Sequence, residues 1–582
     1  MKRWRTVLTL ALLLGAAMPV ESSRWADRII KKMSRRDKVA QMIFHVVRPN
    51  FLNRDHEYYA YLKNLIQDVK LGGMHVWTSP TYDMAYLLNQ YQSWAEVPLL
   101  VSADMERGAG TVVLRELFSG RQGKTPMPEY ISGGGVPFPP QMALGATRSP
   151  ELAYQMGWVT AREARRVGIH VNFAPVVDVN NNPDNPIINV RSFGENVELV
   201  SLLAGAYIRG SQAGGLIATA KHFPGHGDTS LDTHIELPVL NFDLPRLESI
   251  ELPPFVASIQ AGVKAIMSVH IALPAITGDQ KPATLSPRIL TDLLRVKLGF
   301  KGLVVTDAMV MDGITKHYDP NTSAVEAVKA GADILLFTPD PEAAIVAITA
   351  AVEKGEITEH RIEASVRRIL EAKRELGLDR ERTVDLALLE RDLGSKEHFA
   401  VARTIAEKSI TLLRNQERVL PLEKGREFYL LKISDDFWPN DGRVFRDFLA
   451  DRLSLKGEFY AWKESGQESA ARISEQIPEN SLVICPAFFY IGSWKGKLAV
   501  PEPIVKLLQD LTAKQCRLVL ISFASPYIFR ELPLPAAALC GWYSSFELEQ
   551  AAARVLLGDL NPTGKFPVSI PGLFNYGDGL GY

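Results

Sequence analysis

Eight short apolar runs between residues 38 and 378 constrain this chain more than any other feature. They are QMIFHVV, GGMHVW, PLLVSAD, GIHVNFAPVVDV, GLIATAKHF, KAIMSVHI, GLVVTDA and ADILLF. A strand with one wet face alternates apolar and polar residues. These runs are nearly continuous in apolar residues, as a parallel strand covered on both faces requires. Most of the segments between them read as helix. PELAYQMGWVTAREARRVG is one; TSAVEAVKAG is another and ends on Gly331, a C-cap residue. Eight strand–helix units in one domain predict an α/β fold of the (β/α)8 TIM-barrel type. A doubly wound open sheet is the competing arrangement.

Domain boundaries follow from the same pattern. The barrel is expected over residues 23–378 and a charged linker over 379–398. A smaller α/β sandwich with a mainly parallel sheet follows over 399–582, on the runs FYLLKI, SLVICPAFF, RLVLISF and AALCGWY. Residues 1–22 read as an export signal. Lys2, Arg3 and Arg5 precede the uncharged apolar run Val7 to Ala17, and Pro19 and Ser22 supply a cleavage region. The run is shorter than the roughly 20 residues that span a bilayer. The expectation is an exported protein, periplasmic or extracellular, with no stable membrane insertion after cleavage; an uncleaved anchor is the alternative. The formal net charge is −1, and no Lys/Arg run in the body gives a nucleic-acid or anionic-membrane footprint. A neutral small molecule such as a sugar suits that balance. Cys485, Cys516 and Cys540 sit in apolar runs without metal-like spacing, so they read as buried core thiols. No cofactor is expected.

Polar residues recur at one place in successive units. Asp104, Asp178, Lys221 with His222, His270 and Asp307 each stand at or just past the C-terminal end of a predicted strand. In a barrel those ends converge on one face, where active sites lie. The densest segment, KHFPGHGDTSLDTHIELP from Lys221, follows a strand and holds Pro224, Gly225 and Gly227, so it is a loop over the barrel mouth. Its His and Asp residues admit three readings: a metal site, a loop tied by its own hydrogen bonds, or a catalytic loop. The spacing matches no common zinc pattern. If the segment is extended, Asp232 and His234 point the same way. The carboxylate can then fix one imidazole nitrogen and leave the other facing substrate, as an acid that later acts as base. Asp307 ends an apolar strand, where a carboxylate can attack an anomeric carbon or, more simply, cap the next helix.

These segments resemble glycoside hydrolase family 3, and within it the NagZ-type β-N-acetylglucosaminidases. The loop KHFPGHGDTSLDTH carries the closest likeness. Supporting matches are LGG (71–73), MALGAT (142–147), NFAPVVDV (172–179), RSFG (191–194), HIALPAI (270–276), PATLS (282–286) and LVVTDAM (303–309). The C-terminal part resembles the family's second domain through ARTIAEKSITLLRN and NPTGKFPVSIP. The resemblance implies a retaining exo-β-N-acetylglucosaminidase with Asp307 as nucleophile and His234, supported by Asp232, as acid/base. It implies that Lys221 and His222 hold sugar hydroxyls, that Arg191 contacts the sugar near its N-acetyl group, and that Asp104 binds the outer hydroxyls. One departure stands out. The family's D-x-E-G-G after the third strand is here Asp104-Met-Glu-Arg-Gly, with Arg107 in place of the first Gly, and the following stretch to 135 is long and Gly-rich.

Rival functions are a family-3 β-glucosidase or β-xylosidase, a β-N-acetylglucosaminide phosphorylase, and a non-catalytic glycan-binding protein. The first usually takes its acid/base Glu from elsewhere, often the second domain, against which the Asp-x-His pair argues. The second differs only in using phosphate as acceptor. The third conflicts with an intact catalytic set. Muropeptides from peptidoglycan and chitin oligosaccharides are both open as substrates.

Overall fold

The structure, a computed structural model, describes residues 20–110 and 134–582 apart from 234, 438, 439, 493, 494, 496 and 497. The apolar run of the export-signal reading, most of the long stretch after Arg107, and His234 lie outside the described residues.

The eight runs form one nearly closed parallel sheet. Its strands are β1 (Ile43–Val47), β2 (Gly73–Val76), β3 (Leu100–Ala103), β4 (Val171–Asn172), β5 (Ile217–Phe223), β6 (Ala265–Ser268), β7 (Leu303–Val305) and β8 (Leu335–Leu336). Consecutive strands pair in parallel from β1 to β7, and β8 returns to pair with β1. A parallel bridge between Val305 and Ile334 brings β7 to β8. The TIM-type barrel is therefore present, and each strand lies inside one of the eight runs. All residues of β2, β3 and β5 are buried, because barrel and helices cover opposite faces. Each buried Ile, Leu or Phe contributes roughly 1.5–3 kcal/mol against exposure.

The surrounding helices are bounded by the residues the sequence offers. Helix Pro150–Arg166 starts at Ser149, whose hydroxyl accepts from Leu152 N at 3.2 Å, and ends on Arg165 and Arg166 near the negative end of its dipole. Helix Pro320–Ala330 is capped by Asp319 and stops at Gly331, whose φ of 129° lies where L side chains are strained.

The β7–β8 seam has little strand pairing and is held by a buried carboxylate. Asp333 Oδ2 accepts Val304 N at 3.0 Å and Arg295 at 2.5 Å, while Oδ1 meets Arg368 at 2.9 Å. Burial opposes this charge, but Arg295, Arg368 and Arg361 outweigh it and hold the carboxyl below its usual range.

The C-terminal part is a second α/β unit around a six-stranded sheet. Its strands are β9 (Thr411–Asn415), β10 (Glu427–Ser434), β11 (Ser454–Ala461), β12 (Leu482–Phe488), β13 (Arg517–Ser522) and β14 (Ala537–Cys540). They lie in the order β11-β10-β12-β13-β14-β9, parallel except for β9. The four apolar runs are β10, β12, β13 and β14. The reading missed β9 and β11, the two edges. β11 alternates exposed Lys456 and Glu458 with half-buried neighbours, a weak strand signal. The three cysteines are free and buried.

The two units share a core. Met142, Ala143 and Ala146 of helix Gln141–Thr147, together with Val190, pack into the hydrophobic cluster of the second unit. Asn180 Nδ2 donates to Tyr527 OH at 2.7 Å, and Arg530 pairs with Asp184 at 2.9 Å. The charged stretch 379–398 runs along the barrel: Asn89 exchanges two hydrogen bonds with Val384, and Glu163 Oε1 accepts from Gly394 N at 3.0 Å.

Candidate active site

The strand ends on one face of the barrel open into a cavity of about 580 Å³. Asp104, Arg191, Lys221, His222 and Asp307 all line it, so the structure gathers five of the seven predicted site residues. Asp232 is buried next to Thr233, which lines the cavity, and His234 lies outside the described residues.

An ionic network forms one wall. Lys221, at the end of β5, is 3% exposed and bridges two carboxylates: Asp104 Oδ1 at 2.7 Å and Glu106 Oε1 at 2.8 Å. Glu106 is also clasped by Arg191, with Nη2 at 2.7 Å and Nε at 2.9 Å. Burial opposes ionisation of Glu106, yet Arg191 and Lys221 hold its carboxyl well below the usual range. Burial likewise opposes the Lys221 charge, but Asp104 and Glu106 win and raise its pKa. The network thus holds two carboxylates and two cations that sustain one another. Asp104 keeps 48% of its side chain exposed and is the member open to a ligand. Its Oδ2 lies 3.4 Å from His75 Nε2, and burial first of all pushes the His75 ring towards its neutral form.

A second carboxylate organises the loop after β5. Asp178 is fully buried and accepts His222 Nδ1 at 2.7 Å, His222 N at 3.2 Å and His226 N at 2.7 Å. Its pKa lies below the usual range: burial opposes the charge, but His222 and His226 outweigh it. His222 Nε2 then lies 3.4 Å from Arg191 Nη2, at the cavity. Gly227 lies so close to Val179 O that a Cβ would stand 1.7 Å from it, so the loop admits no side chain there. His226 Nε2 reaches Thr233 Oγ1 at 3.1 Å, which ties the start of the loop to its far end. Burial and the neighbouring His222 push His226 down to about 4, so it is neutral at ordinary pH.

The loop's far end closes on the backbone of Asp232. Ile235 N and Glu236 N both donate to Asp232 O, at 3.0 and 3.1 Å. The pairing of Asp232 with His234 rests on their spacing in the sequence and on the resemblance.

Asp307 stands two residues past β7. Its Oδ1 accepts Ala308 N at 2.8 Å. The next helix begins only at Asp312 and has Met311 at its N-cap with no side-chain bond, so Asp307 is not a helix cap. His270, two residues past β6, steadies that turn. Its Nε2 is 3.1 Å from Ala308 O, and because a carbonyl only accepts, this nitrogen carries the proton.

The sequence placed Asp178 among the strand-end candidates and His226 in the loop without giving either a role, and Glu106 and His75 were not singled out. Glu106 stands two residues beyond Asp104, a signal that could have found it. Tyr490, Ser525 and Tyr543 of the second unit also line the cavity, and nothing local in their sequence marks them.

A nearly closed parallel barrel with carboxylates, a lysine and imidazoles around a cavity at its strand ends has the groups that glycoside hydrolysis needs, and the comparisons place the chain in that class. Residues 35–372 match the Glycosyl hydrolase family 3 N terminal domain, and the chain belongs to that family. It is 33% identical over 411 residues to a beta-N-acetylglucosaminidase/beta-glucosidase of Cellulomonas fimi, covering 69% of this chain and 68% of that protein. The solved family 3 beta-N-acetylglucosaminidase of Paenibacillus sp. str. FPU-7 superposes with a TM-score of 0.79 at 32% identity, covering 92% of this chain and 99% of that one. A beta-glucoside phosphorylase, BglX, gives 0.80 at 25% identity over 95% and 96% of the two chains.

Proposed function

We propose that this hydrolase is a retaining exo-β-N-acetylglucosaminidase that removes terminal GlcNAc from oligosaccharides derived from peptidoglycan or chitin. The observation that carries the reading is the convergence of Asp307 and the Asp104–Lys221–Glu106–Arg191 network on one cavity, which Thr233 of the loop after β5 also lines. Relatives named for this activity at 33% and 32% identity support it.

In this reading Asp307 attacks the anomeric carbon and forms a glycosyl-enzyme, while His234 protonates the leaving oxygen. In the second step His234 takes a proton from water, which attacks the same carbon from the face the aglycone left. Asp232 supports the imidazolium. Asp104 accepts hydrogen bonds from the outer hydroxyls, Lys221 and His222 fix hydroxyl oxygens, and Arg191 faces the acetamido side. The 1–22 segment exports the protein.

Turnover of p-nitrophenyl β-GlcNAc against the glucoside and xyloside, with the first anomer followed by NMR, tests this reading. A β-GlcNAc product from the GlcNAc substrate is expected. An α product, or a preference for glucoside, overturns it. Repeating the reaction in phosphate distinguishes GlcNAc from its 1-phosphate. Sequencing the mature N-terminus of the secreted fraction tests export.

A further inference from the structure

Among the described residues, Arg107 is a cation on the cavity wall outside the network of Lys221 and Arg191. It follows Glu106 in the chain, and its guanidinium lies 3.9 Å from the centroid of the Tyr543 ring. The contact joins the barrel to the second unit, and both residues line the cavity. Tyr543 meets the Tyr490 ring at 5.3 Å, and Tyr490 OH donates to Asp441 Oδ2 at 2.5 Å, which anchors the pair of rings. A glycine at position 107 would have no side chain to make this bridge, so the departure from D-x-E-G-G adds a feature to the site.

We propose that Arg107 and Tyr543 form the aglycone side of the cavity, and that Arg107 selects a sugar carrying a carboxylate next to the scissile bond. The inference rests on the glycosidase reading above and names the class of leaving sugar. A guanidinium stacked on a ring spends its face on the contact. Its N–H groups lie in its own plane and remain donors, in the fork that fits a carboxylate. Among the described residues the contact that fixes the Arg107 guanidinium is a ring rather than an acid, which leaves its charge available to a ligand. Tyr543 and Tyr490 supply apolar surface for the sugar itself. Asp104 recognises neutral hydroxyls, so the charged and uncharged ends of such a disaccharide meet different walls.

The test compares kcat/KM on three substrates with the same terminal GlcNAc: GlcNAc-MurNAc, whose second sugar bears a lactyl carboxylate, its carboxamide, and chitobiose. The wild-type enzyme is expected to favour the acid over the carboxamide roughly tenfold or more, as a charge-assisted bond allows. Arg107→Met keeps a stem able to lie on Tyr543 and is expected to bring that preference close to unity. The wild-type comparison needs no variant, so a misfolded Arg107→Met leaves the test intact. Turnover with no acid preference, or a preference that survives in Arg107→Met, overturns the inference alone. Failure to turn over any GlcNAc substrate overturns the glycosidase reading and this inference with it.

Discussion

Replacing Glu106 by Gln probes the ionic wall at its centre. Glu106 accepts from Lys221 at 2.8 Å and from Arg191 at 2.7 and 2.9 Å, so one carboxylate holds two cations that the site is proposed to use. The change leaves Lys221, 3% exposed, and Arg191 with only Asp104 as a facing carboxylate in the network, and turns an amide N–H2 towards one of them. Breaking a buried pair by removing one partner costs about 3–5 kcal/mol. The lower end applies, because the amide oxygen still accepts one bond. That is a cost in folding stability; the part of it that also falls on the transition state, where Lys221 and Arg191 are proposed to hold the sugar, lowers kcat/KM by up to roughly a hundredfold for 3 kcal/mol. The sign of the pH dependence is fixed as well. The folded carboxyl lies well below its usual range, so its contribution is complete above the unfolded value near 4.3 and fades as pH falls through the folded one. Urea unfolding of wild type and variant, with kcat/KM on p-nitrophenyl β-GlcNAc, should show a gap that is flat from pH 5 to 8 and shrinks in stronger acid. Equal unfolding midpoints with kcat/KM within threefold would refute the reasoning, as would a gap that widens on acidification.

Three further outcomes are expected. Asp307→Ala should keep the fold but fall below about a tenth of wild-type turnover; a faster variant removes Asp307 from the nucleophile role. His234→Gly should slow a disaccharide far more than a dinitrophenyl glycoside, because the activated phenolate needs little protonation, and azide should yield a β-azide; equal losses on both substrates count against it. Asp333→Ala strands Arg295 and Arg368 at the β7–β8 seam and should lower stability by roughly 3–5 kcal/mol while sparing KM of the folded fraction; an unchanged urea midpoint would show the seam does not depend on it.

The barrel was legible because its signal is local and repeated: each strand is covered on both faces and so declares itself as an apolar run. The two missed strands are sheet edges, where one side of the ladder is open and burial no longer dictates the residues; β11 alternates, and β9 follows a helix without a break. The site divides along the same line. Asp104, Lys221, His222 and Asp307 were found because barrel geometry sends every strand end to one face, and position alone made them candidates. Glu106, two residues from Asp104, was open to the same positional reading, but its clasp by Arg191, 85 residues on, has no local pattern behind it. Arg191 in turn follows Val190, which packs into the core of the second unit. Tyr490 and Tyr543 reach the cavity only through that packing. A barrel removed from its second unit would therefore keep the strand-end carboxylates and lose both the support behind Arg191 and the ring beneath Arg107. The proposed nucleophile and sugar-binding carboxylate are written in strand positions, and the surface proposed to distinguish one leaving sugar from another is written in the contact between domains.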